Sequence, residues 1–333
     1  TVSDMKENGS LESVDFEGIW GTRSGCRIGK ISDIEEDSDS QRAVYKKGEI
    51  KKIREEKEKL VKWNKLFPGL PPKIVSYQES DRNRTATLLI EFLEGRNLQD
   101  IVVNPKPDLL TEALEKVQLT LREIWLDTAE AIEVKPRFLS QLLSRLGDIR
   151  AVHPEFGRQT KQIGGMVIPS FSDLLERNLE LDDQLSAPFS VLGHGDFNLD
   201  NIIYNPETKR VHYIDVHRSR RMDFIQDISV LLVSSFRLPV FEPEIRKRLD
   251  SVIRCFLGFV RSFAREREDE SYELRLALGL VRSFTTSIRF ELNRSFANAM
   301  GQRAVYLMRY IDQHNREGRL NEFRLPWNVL TYS

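Results

Sequence analysis

The chain has 333 residues, more than one average domain, and 40% of them are apolar, enough to fill a core in each of two parts. Lys and Arg number 50 against 51 Asp and Glu, a formal net charge of -1, so no overall charge draws the protein to nucleic acid or to an anionic membrane. No apolar run has the length of a membrane span, the first residues lack the apolar core of a secretory signal, and two cysteines, Cys26 and Cys255, make neither a disulfide framework nor a metal motif, so a reducing cytoplasm is the expected location.

In chain order, Gly18–Gly25 and Cys26–Ile31 read as two strands around a turn in which glycine permits close backbone approach. The acidic stretch Asp33–Asp39 reads as a solvated connection. Arg42–Lys46 is a short strand whose alternation puts Val44 and Lys46 on one face and Lys47 on the other. From Glu49 to Leu66 the spacing is helical. Glu56, three residues after Ile53, four before Leu60 and seven before Trp63, falls on the inward face, with surface i,i+4 pairing as the competing explanation for a charge-rich helix. Leu88–Gly95 reads as a strand running into a connection.

Helices dominate the remainder. Pro107 to Ala131, Pro136 to Val152 and, after the Gly164–Gly165 break, Ser172 to Leu185 carry helical patterns, as do Glu242 to Arg265, Tyr272 to Ser295 and Ala297 to Glu317. The run Arg265–Glu270 reads as an exposed helix end. His153, His212, His217 and His314 lack metal-ligand spacing, and there is no internal repeat.

The segment His194-Gly195-Asp196-Phe197-Asn198-Leu199-Asp200-Asn201, with Ile214-Asp215 downstream, carries the chemistry. Phosphoryl transfer needs one carboxylate to orient an acceptor hydroxyl and take its proton, and oxygen ligands for the Mg²⁺ that neutralises the triphosphate. Asp196 is the candidate base; Asn201 and Asp215 are the candidate metal ligands. Between them, two β-branched and aromatic stretches flank a turn at Asn205-Pro206-Glu207, a hairpin that returns Asp215 towards Asn201.

These residues resemble the aminoglycoside phosphotransferase and choline kinase family, which uses His-Gly-Asp where protein kinases usually carry His-Arg-Asp. The resemblance implies an α+β, bilobal, protein-kinase-like fold. A small β-rich lobe would span residues 1–95, with 1–15 flexible, and a larger, mainly helical catalytic and acceptor-binding lobe residues 96–333. It also implies a kinase that uses Mg²⁺ with ATP or GTP, and a small hydroxylated acceptor. By the same resemblance, Lys46 meets the phosphates, Glu56 holds Lys46, the backbone of Glu91 and Leu93 meets the adenine edge, and His194 braces the catalytic loop. The glycine-rich Gly-x-Gly-x-x-Gly of protein kinases is missing.

Family members commonly follow the Ile-Asp with Gly-Asp-Pro and then Asp-Leu-Ala; Asp223 and Asp227 stand at those aspartates, while Met222-Asp223-Phe224 departs from the first pattern. Asp223 with Gln226 also resembles a capping box before an apolar run, a structural role. For Asp227 two roles stand open, bracing the catalytic loop through its backbone N–H groups and stabilising a helix dipole.

Arg218, Arg220 and Arg221 follow Asp215 closely. A polycationic acceptor would want carboxylates there, so the expected acceptor is a neutral or anionic hydroxyl compound, such as a sugar, a sugar phosphate or a glycan end. The competing explanation is that the arginines pair with acidic side chains or touch the triphosphate. Three alternatives accompany this reading: an aminoglycoside-type antibiotic kinase, a nucleotide-binding pseudokinase acting as an interaction module, and a protein kinase. The complete set of Asp196, Asn201 and Asp215 argues against the second, and the missing Ala-Pro-Glu against the third.

Overall fold

The computed structural model of the chain describes residues 15–21, 27–34, 41–104, 107–157, 161–163 and 166–332. Residues 1–14, residues 22–26 at the expected turn, residues 35–40, which hold most of the acidic stretch Asp33–Asp39, and Gly164–Gly165 lie outside them, whereas Asp33 itself falls within a strand rather than a solvated connection. The elements that position the site are the strands β1 (Asp15–Gly21), β2 (Arg27–Ile34) and β3 (Gln41–Glu49), helix α1 (Ile50–Leu66), and strands β4 (Ile74–Ser80) and β5 (Thr85–Glu91). Then come helices α2 (Pro107–Thr128) and α3 (Phe138–Val152), strands β6 (Val191–Gly193), β7 (Ile202–Asn205), β8 (Arg210–Tyr213) and β9 (Arg220–Met222), and helices α4 (Ile225–Phe236), α5 (Pro243–Glu266), α6 (Tyr272–Ile288) and α7 (Arg294–Arg316). Among the described residues no helix is long and apolar enough to cross a membrane.

The chain divides into two units, one of residues 1–98 with 200–219, the other of 99–199 with 220–333. The segment Asp200–Ser219 thus belongs with the amino-terminal part rather than with the chain on either side of it.

In the first unit an antiparallel sheet has the order β1-β2-β3-β5-β4, with Lys46 opposite Leu88 and Lys47 opposite Thr87. Helix α1 packs on β3, β4 and β5. Its buried residues are Ile53, Glu56, Leu60 and Trp63, the stripe that a 3.6-residue period selects. Burial of Ile53 and Leu60 contributes on the order of 1.5–3 kcal/mol each. Phe67, extended at φ -132° because Pro68 follows, ends the helix. The Trp63 indole N–H donates to Ser219 Oγ at 2.7 Å and its ring meets Tyr213 edge-on, which ties α1 to the β7–β8 hairpin. Asn205 Oδ1 accepts from the N–H groups of Glu207 and Thr208 and shapes the hairpin turn. The two-residue strand Arg96–Asn97 pairs with β7. There Gly95, at φ +131°, lies so close that an added Cβ would stand 2.6 Å from the Tyr204 carbonyl oxygen, so only glycine fits.

The second unit is mainly helical, with α6 packed between α3, α4 and α7. Asp182, far along the chain, caps α3 by accepting from the N–H groups of Leu139 and Ser140 at 3.0 and 2.6 Å. Strand β6 pairs antiparallel with β9, Gly193 opposite Arg220.

Several boundaries differ from the sequence expectations. The expected Ser172–Leu185 helix is two short ones, Phe171–Arg177 and Leu181–Gln184, interrupted at Asn178, whose side chain donates to Leu174 O and Asp312 Oδ1. Helix α6 stops at Ile288, and α7 starts at Arg294 because Asn293 Oδ1 caps it by accepting from Phe296 N. The run Arg265–Glu270 is not a wholly solvated end: Asp269 is buried and bonded to Arg275. Asp223 forms no capping box; it accepts from Ile225 N and pairs with buried Arg275 instead.

Candidate active site

Within the first unit, Lys46 leaves β3 towards α1 and is buried. Its Nζ lies 2.5 Å from Glu56 Oε1 and 3.2 Å from Asp215 Oδ1. Burial by itself would lower the ammonium's pKa, but Glu56 and Asp215 more than reverse this and raise it, so Lys46 stays charged. Lys47, next along the strand, projects to the opposite face.

Asp215 follows β8 with φ +62° and ψ +41°, a left-handed conformation that is costly for any residue with a Cβ. Ile214 N donates to Asn201 O at 3.0 Å, so the ends of the hairpin bring Asn201 and Asp215 together. Burial works to raise the Asp215 carboxyl, yet the His217 hydrogen bond and the Lys46 charge outweigh it and hold the group well below the usual carboxylate range. His217 Nδ1 is 3.2 Å from Asp215 Oδ1, a contact that raises the imidazole pKa. The sequence reading gave His217 no role; its signal was the Asp-x-His spacing on the turn Val216–Arg218.

A carboxylate and an amide oxygen are hard donors suited to Mg²⁺, which keeps several waters and takes one or two protein ligands beside substrate phosphates. Among the described residues no group of three or more His, Cys, Asp or Glu could hold a metal alone. The Asn201–Asp215 pair supplies donor types that fit Mg²⁺ bound together with substrate phosphates.

Strand β5 carries Glu91. Its N–H donates to Lys73 O at 2.9 Å, and its Oε2 accepts from Lys73 N at 3.1 Å. The expected backbone role of Glu91 thereby narrows to its carbonyl, with Leu93 two residues on.

In the second unit, Asp227 is buried in the first turn of α4 and receives the His194 N–H at 2.6 Å and the Gly195 N–H at 2.8 Å, one on each carboxylate oxygen. Burial pushes its carboxyl up, opposed by His194 and these N–H donors. Gly195 has φ +84°. A Cβ at Gly193 would meet Met222 Sδ at 2.4 Å and Asp227 Oδ2 at 3.0 Å, so glycine lets the loop seat on β9 and Asp227. His194 Nδ1 accepts from Asp196 N at 3.2 Å. Asp196 Oδ1 accepts from Asn198 Nδ2 at 2.8 Å, and Asn198 Oδ1 accepts from Arg237 Nη2 at 3.0 Å. Leu199 N donates to Ser234 Oγ. Sequence reasoning missed Asn198, Arg237 and Ser234 as supports of Asp196; Asn198 lay inside the motif, whereas the other two come from α4 and the residue that ends it.

Arg218 ends the turn Val216–Arg218 in the first unit. Arg220 and Arg221 stand on opposite faces of β9 in the second. Arg221 donates to Thr128 O at 2.8 Å and Ser190 Oγ at 3.3 Å and forms an ion pair with Glu130, the kind of acidic pairing that the competing explanation for these arginines expected.

Residues 37–252 match the family model described as the phosphotransferase enzyme family. No curated protein sequence matches the chain. Among solved structures, a thermostable mutant of aminoglycoside phosphotransferase APH(4)-Ia in ternary complex with AMP-PNP and hygromycin B is similar at TM-score 0.57 and 14% identity, covering 93% of this chain and 98% of that one. Aminoglycoside-3'-phosphotransferase of type VIII is similar at 0.53 and 19%, covering 84% and 97%. APH(3'')-Id from Streptomyces rimosus in complex with ADP and streptomycin is similar at 0.51 and 18%, covering 84% and 97%. At these identities the likeness is one of fold, the protein-kinase-like fold.

Proposed function

Because the chain belongs to the phosphotransferase enzyme family, we propose that it is an ATP- or GTP-dependent kinase that moves the nucleotide γ-phosphate to an alcohol of a small neutral or anionic acceptor, such as a sugar, a sugar phosphate or a glycan end. The acceptor oxygen bonds to the γ-phosphorus, the bond from that phosphorus to the β,γ-bridging oxygen breaks, the nucleoside diphosphate leaves, and Asp196 takes the hydroxyl proton. Asn198, held by Arg237, orients the Asp196 carboxylate for that proton. Lys46, steadied by Glu56, neutralises phosphate charge, and the Glu91 carbonyl and Leu93 N–H meet the adenine edge. Asn201 and Asp215 hold Mg²⁺, which when bound offsets the charge of the phosphates.

The observation that supports this reading is the buried Lys46 bridging Glu56 and Asp215, a cation held beside the candidate metal carboxylate. The similar structures named with AMP-PNP, ADP, hygromycin B and streptomycin support a nucleotide and a small-molecule acceptor. They do not carry an antibiotic over to this chain, since one fold hosts many acceptors. A metabolite-pool phosphorylation screen read by mass, comparing the wild type with Asp196→Ala, tests the proposal. A product that depends on Asp196 is expected; no phosphorylated product from any hydroxyl compound, with nucleotide still bound, would favour the pseudokinase.

A further inference from the structure

On α5, Arg254, Leu257, Gly258 and Arg261 stand at i, i+3, i+4 and i+7, so they share one helical face. That face is the floor of a groove of about 270 Å³, walled by Tyr272, Glu273 and Leu276 of α6 and by Leu325 and Trp327 of the carboxy-terminal segment. All of these residues belong to the second unit, and none is a candidate active-site residue.

The floor is open because Gly258 lacks a side chain. A Cβ there would meet nothing within 4 Å, so no close packing demands glycine at a position where it is a poor helix former. The wall bearing Trp327 is held on both sides. Leu325 N donates to Glu273 Oε2 at 2.8 Å, and Val329 O accepts from Arg303 Nε at 2.9 Å. Between these anchors Trp327 is still 41% exposed, with the Arg254 guanidinium 4.9 Å from its ring centroid.

Charge completes the description. Glu273 is the one carboxylate of the lining and is engaged in the wall itself, Oε1 by the Tyr272 hydroxyl at 3.0 Å and Oε2 by Leu325 N. Among the described residues the ion pairs of α5 are Lys247–Glu244 and Arg122–Glu266, so Arg254 and Arg261 form none. Asp250, one turn before Arg254, feels that charge without pairing to it. The result is an apolar floor with an aromatic wall and a guanidinium at each end, roughly 10 Å apart along the helix axis. Small-molecule sites have this make-up, and an arginine fork suits a carboxylate.

We propose that this groove binds a small flat aromatic molecule carrying a carboxylate, its ring packed against Trp327 and Leu257 and its carboxylate on Arg254 or Arg261. The proposal does not depend on the phosphotransferase reading.

The probe is 2-naphthoate, titrated calorimetrically into the full chain beside its neutral counterpart 2-naphthalenemethanol, with and without saturating Mg·AMP-PNP. Saturable naphthoate binding at about millimolar or tighter is expected in both conditions, with the alcohol roughly fivefold weaker for want of one charge-assisted contact. The double variant Arg254→Gln, Arg261→Gln should bind acid and alcohol alike. Gly258→Leu should fill the floor and abolish binding of both while melting no lower than the wild type, because its Cβ has room. Trp327→Ala, at an exposed position, should weaken both and decides the matter if Gly258→Leu fails to fold. No saturable naphthoate binding to the wild type would overturn the proposal. So would a double arginine variant that still prefers the acid, or wild-type binding by Gly258→Leu and Trp327→Ala. Naphthoate displaced by Mg·AMP-PNP would overturn it as well, placing the probe in the nucleotide site. A wild type that binds naphthoate but no Mg·AMP-PNP would count against the kinase reading alone and leave the groove supported.

Discussion

Asp227 accepts the amide hydrogens of two successive residues, His194 and Gly195, one on each carboxylate oxygen, from a fully buried position. Only a carboxylate has two acceptor oxygens so placed; an amide would set its NH₂ against one of the N–H groups. Asp227→Asn should therefore lose about 1–3 kcal/mol of stability, the cost of an unsatisfied buried donor. Its turnover should fall further than the stability loss explains, because the Asp196 loop loses its anchor. Denaturant titration alongside turnover at a temperature where both forms are folded checks this, and a variant of wild-type stability would refute it.

The buried position of Lys46 between Glu56 and Asp215 makes an asymmetric set of substitutions informative. Lys46→Met should cut nucleotide-dependent activity strongly and Lys47→Met little, since adjacent strand residues face opposite ways. Glu56→Gln acts through the same contact, so its effect in the double variant with Lys46→Met should be far from additive. Equal losses at Lys46 and Lys47, measured as turnover and Mg·nucleotide affinity, would show that Lys46 is not the phosphate ligand.

Asp215 combines a strained backbone with a candidate metal oxygen, and two substitutions separate these properties. Asp215→Ala and Asp215→Gly both remove the carboxylate and should both weaken Mg²⁺-dependent nucleotide binding. Glycine accepts φ +62° without the Cβ penalty, so Asp215→Gly should be more stable than Asp215→Ala by about 1 kcal/mol. Thermal unfolding of the two without nucleotide reads the difference. If magnesium still tightens nucleotide binding in either variant as in the wild type, Asp215 is not a metal ligand.

The parts of this molecule that a local period dictates were legible from the residues. Glu56 faces inward because Ile53, Leu60 and Trp63 share its helical stripe, and Val44 and Lys46 share a strand face by alternation. The Asn205 turn and the β-rich stretches around it sufficed to read a hairpin that returns Asp215 to Asn201. What escaped depends on partners far along the chain. Arg221 reads as part of a basic cluster until Thr128 and Glu130 claim it, and Asp269 reads as one more solvated charge until Arg275 buries it. Arg282, like Arg275 on the same helix, has nothing in its neighbourhood of sequence to mark it; only packing against α3 and α4 gives it Gln141 and Ser229 as partners.

Arg275, with none of its side chain exposed, pairs with Asp223 Oδ2 at 2.8 Å and Asp269 Oδ2 at 2.6 Å. Burial would lower its pKa, but the two carboxylates raise it above the usual arginine value, so it stays charged. Asp223 also accepts from Ile225 N at the start of α4, so the triad ties α6 to the helix that carries Asp227. Arg275→Met should cost about 3–5 kcal/mol, because two buried carboxylates are left without a cation. Arg275→Lys should recover only part of this, since one ammonium cannot reproduce a guanidinium fork bonded to two carboxylates. Adding Asp223→Asn and Asp269→Asn to Arg275→Met should restore much of the stability by removing the uncompensated charges. Denaturant midpoints of the single and triple variants decide it: a triple variant no more stable than Arg275→Met would mean that packing around the guanidinium, rather than its charge, holds α6 in place.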